Sequence, residues 1–143
     1  MAQQKLPMAW TASTPTASVA AGGSFKVEVA VRIEEGWHLY ALTQTAPPDP
    51  TRITVPDGQP FTLGGKIEAP APEAGFDTAQ GADTEYYEES VTFRVPVSVS
   101  RSASPGKQVA HVRATWQACN GSICLRPQIT NLDVAIQVSA PKQ

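Results

Sequence analysis

The run Phe25-Lys26-Val27-Glu28-Val29-Ala30-Val31-Arg32-Ile33 puts a large apolar side chain at every second position. A helix would scatter those five residues around its circumference. An extended strand gathers them on one face. The same alternation returns at Val91, Phe93, Val95, Val97 and Val99, at Val112, Ala114, Trp116 and Ala118, and at Leu132, Val134, Ile136 and Val138. Strands with one apolar face must stack that face against another sheet. The 13 prolines among 143 residues, about twice the usual share, also speak against long helices.

The predicted strands are Phe25–Ile33, Trp37–Leu42, Thr51–Val55, Tyr86–Val99, Gln108–Ala118 and roughly Gln128–Ser139, within a total of about seven. Gly22-Gly23, Glu34-Glu35-Gly36, Pro56-Asp57-Gly58 and Ser102 to Gly106 supply the turns. Ala46-Pro47-Pro48-Asp49-Pro50 reads as a loop, and Glu68 to Asp83 as a longer surface loop whose only large side chain is Phe76. Pro96 inside an alternating run predicts an edge strand or a bulge. The expected fold is all-β, an immunoglobulin-like antiparallel sandwich with its two cysteines on a hairpin near one end. Residues 1–143 form one domain, with tails at about 1–8 and 140–143.

Composition removes several function classes. The net charge is −2 with 11 scattered basic residues, which is no nucleic-acid footprint. No apolar stretch nears the ~20 residues of a membrane helix. His38 and His111 stand apart from each other and from the cysteines, which fits no usual zinc spacing, so no metal is expected. No phosphate-binding glycine motif is present, and no cofactor is implied. Met1 to Lys5 lacks an apolar stretch, which fits an exported chain whose signal peptide has been replaced by a start Met and fits a cytosolic chain equally.

The informative segment runs from Trp116 to Pro127 and holds both cysteines, Cys119 and Cys124. Asn120-Gly121 is a strong turn signal. A two-residue loop there would set Cys119 against Ser122 and forbid a disulfide across the hairpin. A four-residue loop sets Cys119 against Cys124, within bonding distance. The four-residue register is expected because it accounts for both cysteines. Closing about six residues stabilises by only roughly 2 kcal/mol, so the bond is a weak staple. Cys119 alternates with Gln117 and Thr115, opposite the apolar set of Trp116, and is expected to point outward from the core. An outward, short-loop disulfide suits thiol–disulfide exchange. Against this, a single disulfide in an exported sandwich is more often structural. The alternative is therefore an exported immunoglobulin-like binding or structural module with a constitutive disulfide.

Three motifs then occur in order: Gly36-Trp37-His38-Leu39-Tyr40, Glu85-Tyr86-Tyr87-Glu88 leading into Val91-Thr92-Phe93-Arg94-Val95-Pro96-Val97, and Trp116-Gln117-Ala118-Cys119 with Cys124 and Pro127. Together they resemble the N-terminal periplasmic domain of the DsbD family of bacterial thiol:disulfide interchange proteins, from about Val27 to Val138. The resemblance implies a periplasmic protein-disulfide reductase domain. Its Cys119–Cys124 pair would take electrons from a membrane domain, itself fed by a thioredoxin-like domain of the same or a companion protein. It would pass them to thioredoxin-fold periplasmic proteins, among them disulfide isomerases and cytochrome c biogenesis factors. By position Cys124 would form the mixed disulfide and Cys119 would resolve it. Phe76 matches the family's shielding aromatic, and Tyr40 a residue lining the pair. Four residues separate the cysteines here, one fewer than in the family's best-known member. Ala74-Gly75 stands before Phe76 where that member carries acidic residues.

Overall fold

The computed structural model describes residues 6–77 and 81–142. Its strands are β1 (Met8–Ser13), β2 (Ser18–Ala20), β3 (Ser24–Ile33), β4 (His38–Tyr40), β5 (Arg52–Thr54), β6 (Phe61–Leu63), β7 (Glu73–Asp77), β8 (Ala82–Tyr87), β9 (Ser90–Val99), β10 (Gly106–Trp116), β11 (Ala118–Cys119) and β12 (Gln128–Ser139). They form three sheets, ordered β1-β3-β9-β6, β2-β12-β10-β5 and β11-β4-β8-β7. Among the described residues, only β2 and β12 pair in parallel.

The alternating runs do what their periodicity requires. Val27, Val29, Val31, Phe93, Val95 and Val97 from the first sheet are buried with Ala110, Val112, Ala114, Val134, Ile136 and Val138 from the second. The third sheet adds Leu39, Tyr87 and Ala118 to the same core. Edge-on aromatic pairs fill its larger gaps: Phe25 against Phe61 at 6.0 Å and Tyr87 against Phe93 at 5.8 Å. Trp116 is 1% exposed, lies 5.6 Å from the Trp10 ring, and donates its indole N–H to the Thr130 hydroxyl.

Four expectations need correction. The segment from Glu68 to Asp83 is not simply a loop, since β7 and β8 pair from Glu73↔Tyr86 to Asp77↔Ala82. The run Glu73-Ala74-Gly75-Phe76-Asp77 carries no alternation of large apolar residues, so the ladder stands on backbone hydrogen bonds that periodicity cannot reveal. The run Tyr86–Val99 is not one strand. It breaks at Glu88 and Glu89, where the chain passes from the third sheet to the first. Glu89 takes a left-handed φ of 65°, a conformation that nothing in its side chain advertises. The N-terminal tail is shorter than eight residues, because Pro7 is buried and Met8 opens β1. Finally, β1, β2, β6 and β7 bring the strands well above seven. Residues 1–5, 78–80 and 143 of the tail and loop expectations lie outside the described residues.

Pro96 belongs to an interior strand, because β9 lies between β3 and β6. The bulge is in its neighbour. Leu63 pairs with Val97 and Glu68 with Arg94, so five steps on one side face three on the other. The Pro96 carbonyl accepts from the Gly64 N–H at 2.8 Å. A residue's N–H and C=O point to the same neighbour in an antiparallel ladder. The donor that proline lacks therefore falls where the partner strand leaves.

Candidate functional site

The cysteine hairpin is built from its backbone outward. Cys119 and Cys124 face each other across an antiparallel bridge, joined by an S–S bond of 2.04 Å with Cα atoms 4.0 Å apart. The loop between them has the four-residue register. Inside it the Asn120 N–H donates to the Ile123 carbonyl at 2.9 Å. Just outside it the Leu125 N–H donates to the Ala118 carbonyl at 2.8 Å. The Asn120 side-chain oxygen accepts from the N–H groups of Ser122 and Ile123, both at 2.8 Å, and so closes the turn. Gln117 clamps the base. Its amide nitrogen donates to the Leu125 carbonyl, and its oxygen accepts from the Asp49 N–H of the proline-rich loop.

Register decides what shares a face with the disulfide. Cys119 stands opposite His38, and Tyr40 opposite Tyr86, which in turn faces Glu73. Facing residues project to the same side of a sheet, and so do residues two apart along a strand. One face of the third sheet thus carries Cys119, His38, Tyr40, Tyr86, Glu88, Glu73, Gly75 and Asp77. The other carries Ala118, Leu39 and Tyr87, which join the core, together with Ala74 and Phe76.

Cys119 points away from the sandwich core, as the alternation requires, and is absent from the core cluster. It is not exposed, however. It retains 1% of its surface, while Cys124 is partly open. Parity alone foretold the direction but not the cover. Tyr40 is buried there too, at 0% exposure, and is not the rim tyrosine an isolated strand would hold. Its hydroxyl donates to an Asp77 carboxylate oxygen at 3.1 Å, which ties β4 to the end of β7. Phe76 is not brought together with these groups. It lies on the opposite face and is 65% exposed, more than a ring packed down as a seal would be.

Sequence reasoning missed Asp77, Gln117 and the joint role of His38, Tyr86 and Glu88. His38 stacks on the Tyr86 ring at 4.0 Å and 13°, and its Nε2 lies 2.8 Å from a Glu88 oxygen. The Glu85-Tyr86-Tyr87-Glu88 motif was the available signal. Its alternate residues Tyr86 and Glu88 had to share one face. Among the described residues, no group of three or more metal-ligating side chains occurs.

Burial, and then the charge and hydrogen bond of Asp77, hold the Tyr40 hydroxyl well above the ordinary tyrosine value of 10.0. The folded domain keeps this proton more tightly than the unfolded chain. The corresponding stability is complete below pH 10 and is lost as pH rises above it. Tyr86 and Tyr87 shift in the same direction, chiefly through burial. Tyr40→Phe is therefore expected to cost about 1 kcal/mol at neutral pH. It should also make the alkaline loss of stability less steep. Urea midpoints at neutral pH and on either side of the tyrosine range check this, and parallel curves for the two proteins would refute it.

The sequence matches the family described as "Thiol:disulfide interchange protein DsbD, N-terminal" over residues 3–135. The chain belongs to the DsbD N-terminal domain family. Two solved structures share its fold. The reduced DsbD N-terminal domain of Neisseria meningitidis is 17% identical with a TM-score of 0.54, covering 90% of this chain and 85% of that one. The N-terminal periplasmic domain of ScsB from Proteus mirabilis is 20% identical with a TM-score of 0.57. That match covers 94% of this chain and 47% of the ScsB chain, so the present chain spans about half of it. A search of curated proteins finds no match. The family is one of thiol–disulfide interchange, and in this DsbD-type domain Cys119 and Cys124 are joined as a disulfide.

Proposed function

We propose that this domain is a periplasmic electron relay, taking electron pairs from a membrane donor and handing them to thioredoxin-fold proteins through reversible Cys119–Cys124 oxidation. The observation that carries the reading is the unequal exposure of the two cysteines. Thiolate attack needs an approach along the S–S axis to a reachable sulfur. Cys124 is partly open, whereas Cys119 is sealed at 1%. Incoming thiolates therefore attack Cys124, and Cys119 is the leaving group. In the reverse direction Cys124 attacks a partner's disulfide and Cys119 resolves the adduct. Tyr40, locked to Asp77, lines the shielded side. The shielding assigned to Phe76 would require its ring to come round from the opposite face when a partner is absent.

The test is trapping. Cys119→Ser with Cys124 free is mixed with an oxidised thioredoxin-fold protein. A reducible one-to-one adduct through Cys124 is expected, formed much faster than with oxidised glutathione. Adduct formation no faster than with glutathione would sink the relay and leave the constitutive-disulfide alternative.

A further inference from the structure

Among the ladder positions on the disulfide face there is one basic side chain, His38. It stands directly opposite Cys119. Cβ atoms of such facing pairs lie about 4.5–5.5 Å apart. The ring is held twice, by the Tyr86 stack and by the Glu88 carboxylate at Nε2. Its Nδ1 has no hydrogen-bond partner among the described residues. His38 keeps 30% of its side-chain surface. The other titratable groups facing it are Tyr86 of β8, Glu88 just after that strand, Glu73 and Asp77 of β7, Tyr40 of its own strand, and the two cysteines. Three of these are carboxylates, which oppose a thiolate on this face. An imidazole can both donate and accept a proton near neutrality.

We propose that His38 exchanges a proton with the Cys119 sulfur during thiol–disulfide exchange, with Glu88 and Tyr86 as its positioning residues. The proposal rests on the exchange reading above. A dithiol's thiolate attacks Cys124 Sγ, a new S–S bond forms, and the Cys119–Cys124 bond breaks. The bonding pair leaves on Cys119 Sγ, which takes the proton of the His38 imidazolium. The dithiol's second sulfur, as its thiolate, then attacks the first. Cys124 leaves as a thiolate and takes a proton from solvent. Solvent then returns a proton to His38, so the dithiol has become a disulfide and the domain has gained two electrons and two protons. In the reverse direction, neutral His38 removes the Cys119 proton as that sulfur attacks Cys124 and releases the reduced partner. A base held by a carboxylate beside a nucleophilic cysteine is a recurrent way of activating sulfur.

The experiment is stopped-flow reduction of the full chain by dithiothreitol from about pH 5 to about pH 9. His38→Gln is expected to slow reduction roughly tenfold to a hundredfold and to flatten the neutral part of the pH profile. Glu88→Gln should lose less rate and move the profile without flattening it. A His38→Gln rate and profile that match the parent would overturn the proposal. Should His38→Gln not fold, Glu88→Gln decides, and an unmoved profile refutes the pairing. Dithiothreitol needs no docking, so failure of the trapping experiment would remove the relay and leave this result intact.

Discussion

Trp116→Ala is expected to lower the unfolding free energy by about 3–5 kcal/mol, the range for emptying a buried aromatic site. The indole is 1% exposed, packs on Trp10 and satisfies the Thr130 hydroxyl. Truncation leaves a cavity between the first two sheets and strips Thr130 of a partner. The loss is a large share of the ~5–15 kcal/mol typical of a domain. Urea titration checks it. A loss below about 1 kcal/mol would mean that the site collapses without a void. The effect reaches the function as well, because Trp116 ends β10 three residues before Cys119. A shifted β10 would misplace the hairpin.

The second large effect is a labelling asymmetry. In the reduced domain, iodoacetamide is expected to modify Cys124 roughly tenfold or more faster than Cys119, since reactivity follows access as well as thiolate content. Cys124→Ser should leave a chain that labels slowly while folded and fully when denatured. Mass spectrometry of timed digests reads both rates. Equal rates would mean that reduction opens the face around Cys119, and the assignment of attack to Cys124 would fall with it. Reduction itself should cost only about 2 kcal/mol, so the fold survives it.

The sandwich was legible because its strands are half-buried and alternate strictly. Phe25 to Ile33 and Leu132 to Val138 announce their faces without help. The four-residue cysteine loop was legible because only that register lets Cys119 meet Cys124. The β7–β8 hairpin was not, since Glu73 to Asp77 is held in it by backbone pairing. The turn at Glu89 was hidden because a glutamate there gives no sign of a positive φ. The burial of Cys119 was hidden for a third reason. Strand parity tells which way a side chain points, but not how much of it the rest of the fold covers. His38 and Glu88 were visible singly. Only the pairing of β4 with β8 made them a unit.

The hydrogen bonds that bracket the disulfide govern the lifetime of any mixed disulfide formed at Cys124. Cutting the S–S bond leaves the Asn120–Ile123 bond on one side of it and the Leu125–Ala118 bond on the other, with Gln117 still gripping the base. The freed Cys119 sulfur cannot drift. It stays beside Cys124 at an effective concentration far above that of any free thiol. In the relay proposed above, a covalent complex with a partner would thus be spring-loaded toward release.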